Sequence, residues 1–141
     1  MQKPSWLFWV VSIFAVLWSA FGVYDYVMTS TGDEKYLKDF DPQMIEWIKE
    51  FPLWRNIVWV IGVGSGMLAS IALVLRRGVA VPLFILSVAM MVGGLVVHDL
   101  ALSNGLEMYG QLGLIATAVL VVVQLLITWY AMRAKRLGYL R

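Results

Sequence analysis

Residues 57–75 read IVWVIGVGSGMLASIALVL and run straight into Arg76-Arg77-Gly78. The stretch has no charge and, at ~1.5 Å per helical residue, is long enough to cross a hydrocarbon core of ~30 Å. The arginine pair then closes it, and a second apolar run, 78–98, begins at once. So short a turn predicts an antiparallel helical hairpin. Working outward, two further apolar runs appear, one over 6–24 and one over 112–132. The expectation is an all-α, four-helix transmembrane bundle forming a single domain over 1–141. Its helices are set at about 6–28, 57–75, 78–98 and 110–132, with a loop over 29–56.

The charges orient that bundle. Four crossings put both ends of the chain on the side of the Arg76-Arg77 turn. That side holds Lys3, Arg76, Arg77, Arg133, Lys135, Arg136 and Arg141 and no acid. All nine acidic residues lie on the other side, with Lys35, Lys38, Lys49 and Arg55. The positive-inside bias predicts cytoplasmic N and C termini. A net charge of +2 conceals this asymmetry. The cations flank apolar runs, so nucleic acid is not an expected partner; the lipid bilayer is, and the basic tail suits anionic headgroups. Where a signal peptide would show small cleavage-site residues, the first run ends in Tyr24, Asp25 and Tyr26, so it reads as a retained helix. There is no cysteine and one histidine, which removes thiol chemistry, disulfides and any multi-histidine site within one chain. No cofactor and no metal site is predicted; a bound lipid is compatible with the composition.

Local patterns add detail. Ser12, Ala15, Ser19 and Gly22 share a face of the first helix that leads to Asp25. In the second, Gly62 and Gly66 form a GxxxG pair that Ser70 extends, the mark of a tight helix contact. These glycines sit inside an apolar run, so they do not form a phosphate loop. In the outer loop, Thr31-Gly-Asp-Glu34 resembles a capping box. Asp41-Pro42 reads as an N-cap followed by proline at the first helical position. Met44, Trp47, Ile48 and Phe51 then make one apolar face, meant for the membrane surface, a partner or the bundle mouth.

Polar residues that could carry function fall in two places. Asp25, Tyr26, His98, Asp99 and Glu107 gather at the outer helix ends, where a carboxylate beside an imidazole could relay protons or hold a polar ligand. Ser87, Met91, Gly94 and His98 share a face at steps of four, three and four. Deeper, Thr117, Gln124 and Thr128 share a face of the fourth helix, and the Gln124 amide needs a partner inside the bundle or across an oligomer contact. The two halves of the chain share no motif order, so an inverted repeat is not expected.

Read together, Trp18-Ser-Ala-Phe-Gly22 with Asp25-Tyr26 and Met28-Thr29, Phe51-Pro-Leu-Trp54, the glycine-rich second helix, Arg76-Arg77, and Ala80-Val81-Pro82 with Ser87 resemble a family of small bacterial four-helix inner-membrane proteins. Members of that family carry the label "sugar transporter". The architecture is also similar to the DoxX-like membrane proteins. The resemblance implies an inner-membrane location and transfers no site residues. With no catalytic constellation in the chain, the expected function is a non-catalytic subunit or accessory component of a larger membrane assembly, as a homo-oligomer or with other membrane subunits. The alternatives are an oligomeric small-solute transporter, sugar included, and a lipid- or quinone-linked membrane enzyme using His98 and Asp25.

Overall fold

A computed structural model describes residues 2–141. The described residues form only helices and their connections: α1 Trp6–Thr31, α2 Glu34–Leu37, α3 Pro42–Lys49, α4 Leu53–Val74, α5 Ala80–Met91, which continues as a π-helix over Val92–Leu102, and α6 Gly105–Arg136. Four helices are long and apolar enough to cross a membrane, the third being α5 with its π continuation. Their outward faces expose Leu17, Phe21, Leu68, Leu75, Leu112 and Leu126 among many others, a surface suited to lipid and not to water.

Helix ends follow local chemistry. Ser5 caps α1 by accepting from the Phe8 amide, and Gly32 ends it in the left-handed conformation at φ 69°. That left-handed turn moves the next cap past Thr31. Thr31 stays in α1, its hydroxyl donating back to the Val27 carbonyl, and Asp33 accepts from the Tyr36 amide at 2.8 Å to start α2. The capping box expected from Thr31 is therefore an aspartate cap. Asp41 caps α3 with Pro42 next to it, as its sequence suggests.

The helix bounds differ most near the acidic end. The second spanning helix begins at Leu53, straight after Pro52, and not at 57, which brings Arg55 inside it. The third runs on to Leu102 in π geometry. The fourth begins at Gly105 and bends at Gly110, whose φ of 62° and ψ of −174° break the helical path. The loop of 29–56 shrinks accordingly and holds two short helices.

Packing divides the bundle in two. The basic half is solid: Phe8, Ala15, Leu73, Phe84, Ile127 and Ala131 fill it with neighbouring alanines. Small side chains let the backbones approach closely, which is what holds helices together in lipid. A Cβ on Gly62 would stand 3.2 Å from Cβ of Met90, and one on Gly66 would stand 2.9 Å from Oγ of Ser87. The glycine pair thus faces α5 of its own chain. Ser70 turns toward α1 instead, donating to the Ala15 carbonyl at 3.0 Å and lying 2.8 Å from the Ser19 hydroxyl.

At the basic end the termini are tied to the α4–α5 turn. Arg76 donates through Nε to the Tyr139 carbonyl (2.9 Å) and through Nη2 to the Gln2 carbonyl (2.8 Å). Backbone bonds from Arg141 to Arg76 and from Gln2 to Gly138 complete the clasp.

Candidate functional site

The acidic half is hollow. A cavity of about 280 Å³ lies between α1, α4, the α5–π helix and α6, under the apolar face of α3. It is open, not enclosed. α1 packs along α4, α4 along α5 and α5 along α6, whereas α1 and α6 meet at few points. Phe21 and Gly22 of α1 and Thr117 and Leu120 of α6 line the cavity. The floor is a polar crosspiece. Trp18 donates its indole N–H to Oε1 of Gln124 (3.2 Å), and Nε2 of Gln124 donates to the Ser87 hydroxyl (3.3 Å), which donates to the Gly62 carbonyl (2.8 Å). Both ends of the Gln124 amide are thereby satisfied inside one chain, as its depth demands. Below it the solid half closes the cavity.

One wall carries an ion pair that the sequence reading set in a loop. Asp99 is fully buried and Arg55 is 4% exposed. Arg55 donates through Nε to Oδ1 (2.9 Å) and through Nη2 to Oδ2 (2.8 Å), the two-pronged geometry that suits guanidinium and carboxylate. The Tyr109 hydroxyl also donates to Oδ2 at 2.6 Å, and Nδ1 of His98 lies 2.6 Å from Oδ1. Four groups thus share one carboxylate. An ionised Asp99 only accepts, so Nδ1 of His98 carries the proton there.

The local backbone explains the cluster. Starting α4 at Leu53 puts Arg55 seven residues before Gly62 and on the same face. Gly94 leaves room for the guanidinium, since a Cβ there would lie 3.1 Å from its Cζ and Nη1. A Cβ on Gly105 would collide with the Asp99 carbonyl, so only glycine lets α6 begin against the end of the π-helix. The bend at Gly110 follows directly after Tyr109. Wide π turns recur where a helix must re-aim side chains. Here the turn carries His98 away from the face of Ser87 and Gly94. It packs edge-on between Phe51 and Trp54, with ring centroids at 5.1 Å to each, and does not line the cavity.

The face of α3 turns inward. Met44, Ile48 and Phe51 line the cavity, while Trp47 is buried edge-on against Tyr109 and donates to the Ser103 hydroxyl at 2.9 Å. The Arg55 guanidinium stands over the Phe51 ring at 4.8 Å and the Trp59 ring at 5.4 Å. The segment thus covers part of the cavity with its apolar face.

The remaining site candidates separate. Asp25 lines the cavity and accepts a hydrogen bond from the Tyr36 hydroxyl of α2; it shares no bond with His98. Burial, and then the Asp25 carboxylate, hold the Tyr36 phenol protonated well above its usual range. Tyr26 packs edge-on against Trp59 at 5.1 Å. Thr117 lines the cavity and donates to the Gly113 carbonyl; Thr128 is buried lower, donating to the Gln124 carbonyl. Glu107 is exposed and lies apart from the cavity. Among the described residues no three His, Asp or Glu side chains gather as a metal site would require. Compared with known proteins, the chain matches no family model, no curated protein and no solved structure.

Proposed function

We propose that this chain is a non-catalytic integral membrane protein that holds a small, bilayer-dissolved amphiphile in its acidic-half cavity. The supporting observation is the make-up of that cavity: partly open, lined by α1 and α6 where these helices make little contact with each other, covered by the apolar face of α3, and stopped by the Trp18–Gln124–Ser87 crosspiece. Apolar walls with a few polar groups are the usual make-up of a ligand pocket. A ligand reaching it between two lipid-facing helices comes from the bilayer. Following the charge bias, the basic end faces the cytoplasm and α3 faces out; the bacterial inner membrane is the location that the family resemblance implies. Such a binder serves equally as an accessory component of a larger assembly, the role the sequence favours.

The test is to purify the protein in mild detergent and identify retained small molecules by native mass spectrometry. Gly22→Leu places a bulky side chain in the cavity wall, where a Cβ would already meet Cγ1 of Val63 of α4 at 3.7 Å, and helical circular dichroism checks that the variant stays folded. Loss of the retained molecule in a folded Gly22→Leu protein is expected. Equal retention by both proteins, or none by the unaltered one, overturns the proposal.

Small-solute transport is a second reading. It is favoured by Asp25, Thr117 and Gln124 lining one space from the acidic mouth to mid-membrane. It requires Gln124→Leu to abolish uptake in a folded protein; unchanged uptake would sink it.

A further inference from the structure

Resting on the amphiphile reading, we propose that the ligand's head is uncharged and carries both a carbonyl acceptor and a hydroxyl donor, as in a monoacylglycerol, with the carbonyl on Nη1 of Arg55 and the hydroxyl on Asp25. Three features lead there.

The first is an unused donor. Nε and Nη2 of Arg55 are committed to Asp99, and Nη1 has no acceptor among the described residues. Every fully buried side-chain nitrogen and oxygen among those residues does have a partner, so Nη1 keeps accessible surface. The side chain is only 5% exposed and Arg55 lines the cavity, so we assign that surface to the cavity. A guanidinium N–H in an apolar wall calls for an oxygen.

The second is an unused acceptor. Oδ1 of Asp25 takes the Tyr36 hydroxyl, whereas Oδ2 receives no donor among the described residues. Asp25 lines the same cavity as Arg55.

The third is charge. Asp99 already balances Arg55, so a carboxylate or phosphate head would enter as uncompensated negative charge beside Asp25. A cationic head would enter beside the Arg55 guanidinium. Either desolvation is poorly repaid in a low-dielectric site, while a neutral head that accepts and donates once satisfies both groups. Below the head, Trp18, Phe21, Met90, Met91 and Leu120 offer an apolar path, and methionine adapts to varied chains. At 280 Å³ the cavity is smaller than a typical drug-sized pocket of ~300–1,000 Å³, so it houses the head and upper chain and leaves the rest of the chain between α1 and α6.

The experiment titrates the purified protein, in detergent, with four chain-matched probes: 1-monoolein, methyl oleate, oleate and oleylamine, reading occupancy by native mass spectrometry. Monoolein is expected to bind tighter than each of the others by about tenfold, one good hydrogen bond or one avoided charge clash. Asp25→Asn keeps an oxygen for Tyr36 and removes the charge; it should narrow the preference for monoolein over oleate while folding normally. Oleate or oleylamine binding as tightly as monoolein overturns the neutral head, and methyl oleate doing so overturns the Asp25 contact. If no probe binds but the purified protein retains a molecule that Gly22→Leu loses, the head class is wrong and the amphiphile reading stands. If nothing is retained and nothing binds, both fall.

Discussion

Asp99→Asn tests the centre of the site with almost no change in shape. The carboxylate takes two bonds on each oxygen: Arg55 Nε and His98 on Oδ1, Arg55 Nη2 and the Tyr109 hydroxyl on Oδ2. An asparagine amide has one acceptor atom. Whichever way it flips, its NH₂ faces an Arg55 N–H that cannot accept, and Arg55, 4% exposed, keeps a buried positive charge with no counter-ion. Breaking one side of a buried ion pair costs about 3–5 kcal/mol, or two to four decades in the folding equilibrium. Arg55→Met combined with Asp99→Asn removes the stranded charge. It should cost less than the sum of the two single changes, by a coupling of roughly 0.5–3 kcal/mol. Equilibrium unfolding by a denaturing detergent, titrated into protein held in mild micelles and followed by helical circular dichroism, gives all four stabilities. A loss below about 1 kcal/mol for Asp99→Asn would refute the reasoning. So would simple additivity in the cycle. Either would mean that water reaches the pair and screens it.

Other outcomes follow from single contacts. Tyr36 has a raised phenol pKa in the folded protein, so its contribution is complete below the ordinary value of 10.0 and is lost as pH rises past it; unfolding should become easier there, and Tyr36→Phe should remove that alkaline slope. Coincident pH profiles for the two proteins would contradict the raised phenol pKa that burial and then Asp25 produce. At Gly110 a Cβ would meet nothing within 4 Å, yet φ and ψ suit glycine alone, so Gly110→Ala should cost about 1–3 kcal/mol from backbone strain without any clash. Gly66→Ala pushes a Cβ to 2.9 Å from Oγ of Ser87 and should destabilise the α4–α5 contact, an effect relieved in part by Ser87→Ala. Trp47→Phe keeps a ring against Tyr109 but drops the bond to Ser103, so amides of α3 should exchange hydrogen faster while those of α4 do not.

What the sequence shows and what it hides divide along one physical line. Lipid forces a spanning segment to satisfy its backbone internally, so residues 57–75 can be nothing but helix, and the Asp41-Pro42 start of α3 is as local a signal. Tyr109 and the partner of Asp99 are another matter, because their contacts depend on helix rotation and on backbone geometry that no periodicity carries. The steps of four, three and four from Ser87 to His98 keep one face only if the helix stays α; the π turn over Val92–Leu102 breaks the count and sends His98 to Phe51 and Trp54. Whether Asp25 and His98 meet is open in the sequence for the same reason; in the fold they share no bond, and Asp99 takes the inward place.

Arg55 shows how a charge count goes astray. Ending an apolar run at its last cation is a sound rule for finding spans, and it leaves Arg55 as a loop residue. Yet a helix that begins just after Pro52 carries Arg55, Gly62 and Gly66 at spacings of seven and eleven, on the face that packs inward. A cation sharing a face with glycines that admit a close neighbour points into the bundle, and a buried cation needs a carboxylate. Only Asp99 adjoins the inward face of the next hairpin arm at that level. Arg76 is the counterpart at the other end: counted for orientation, it also ties Gln2 and Tyr139 to the α4–α5 turn. Replacing Arg76 by lysine keeps the charge that orients the chain and removes the forked donor that joins both termini. Orientation should therefore survive Arg76→Lys while the basic end loosens, whereas Arg55→Lys should disturb the cavity wall and leave orientation alone. Topology mapping and hydrogen exchange on the same two variants separate the two roles, and matching effects from both substitutions would show that the two arginines are interchangeable after all.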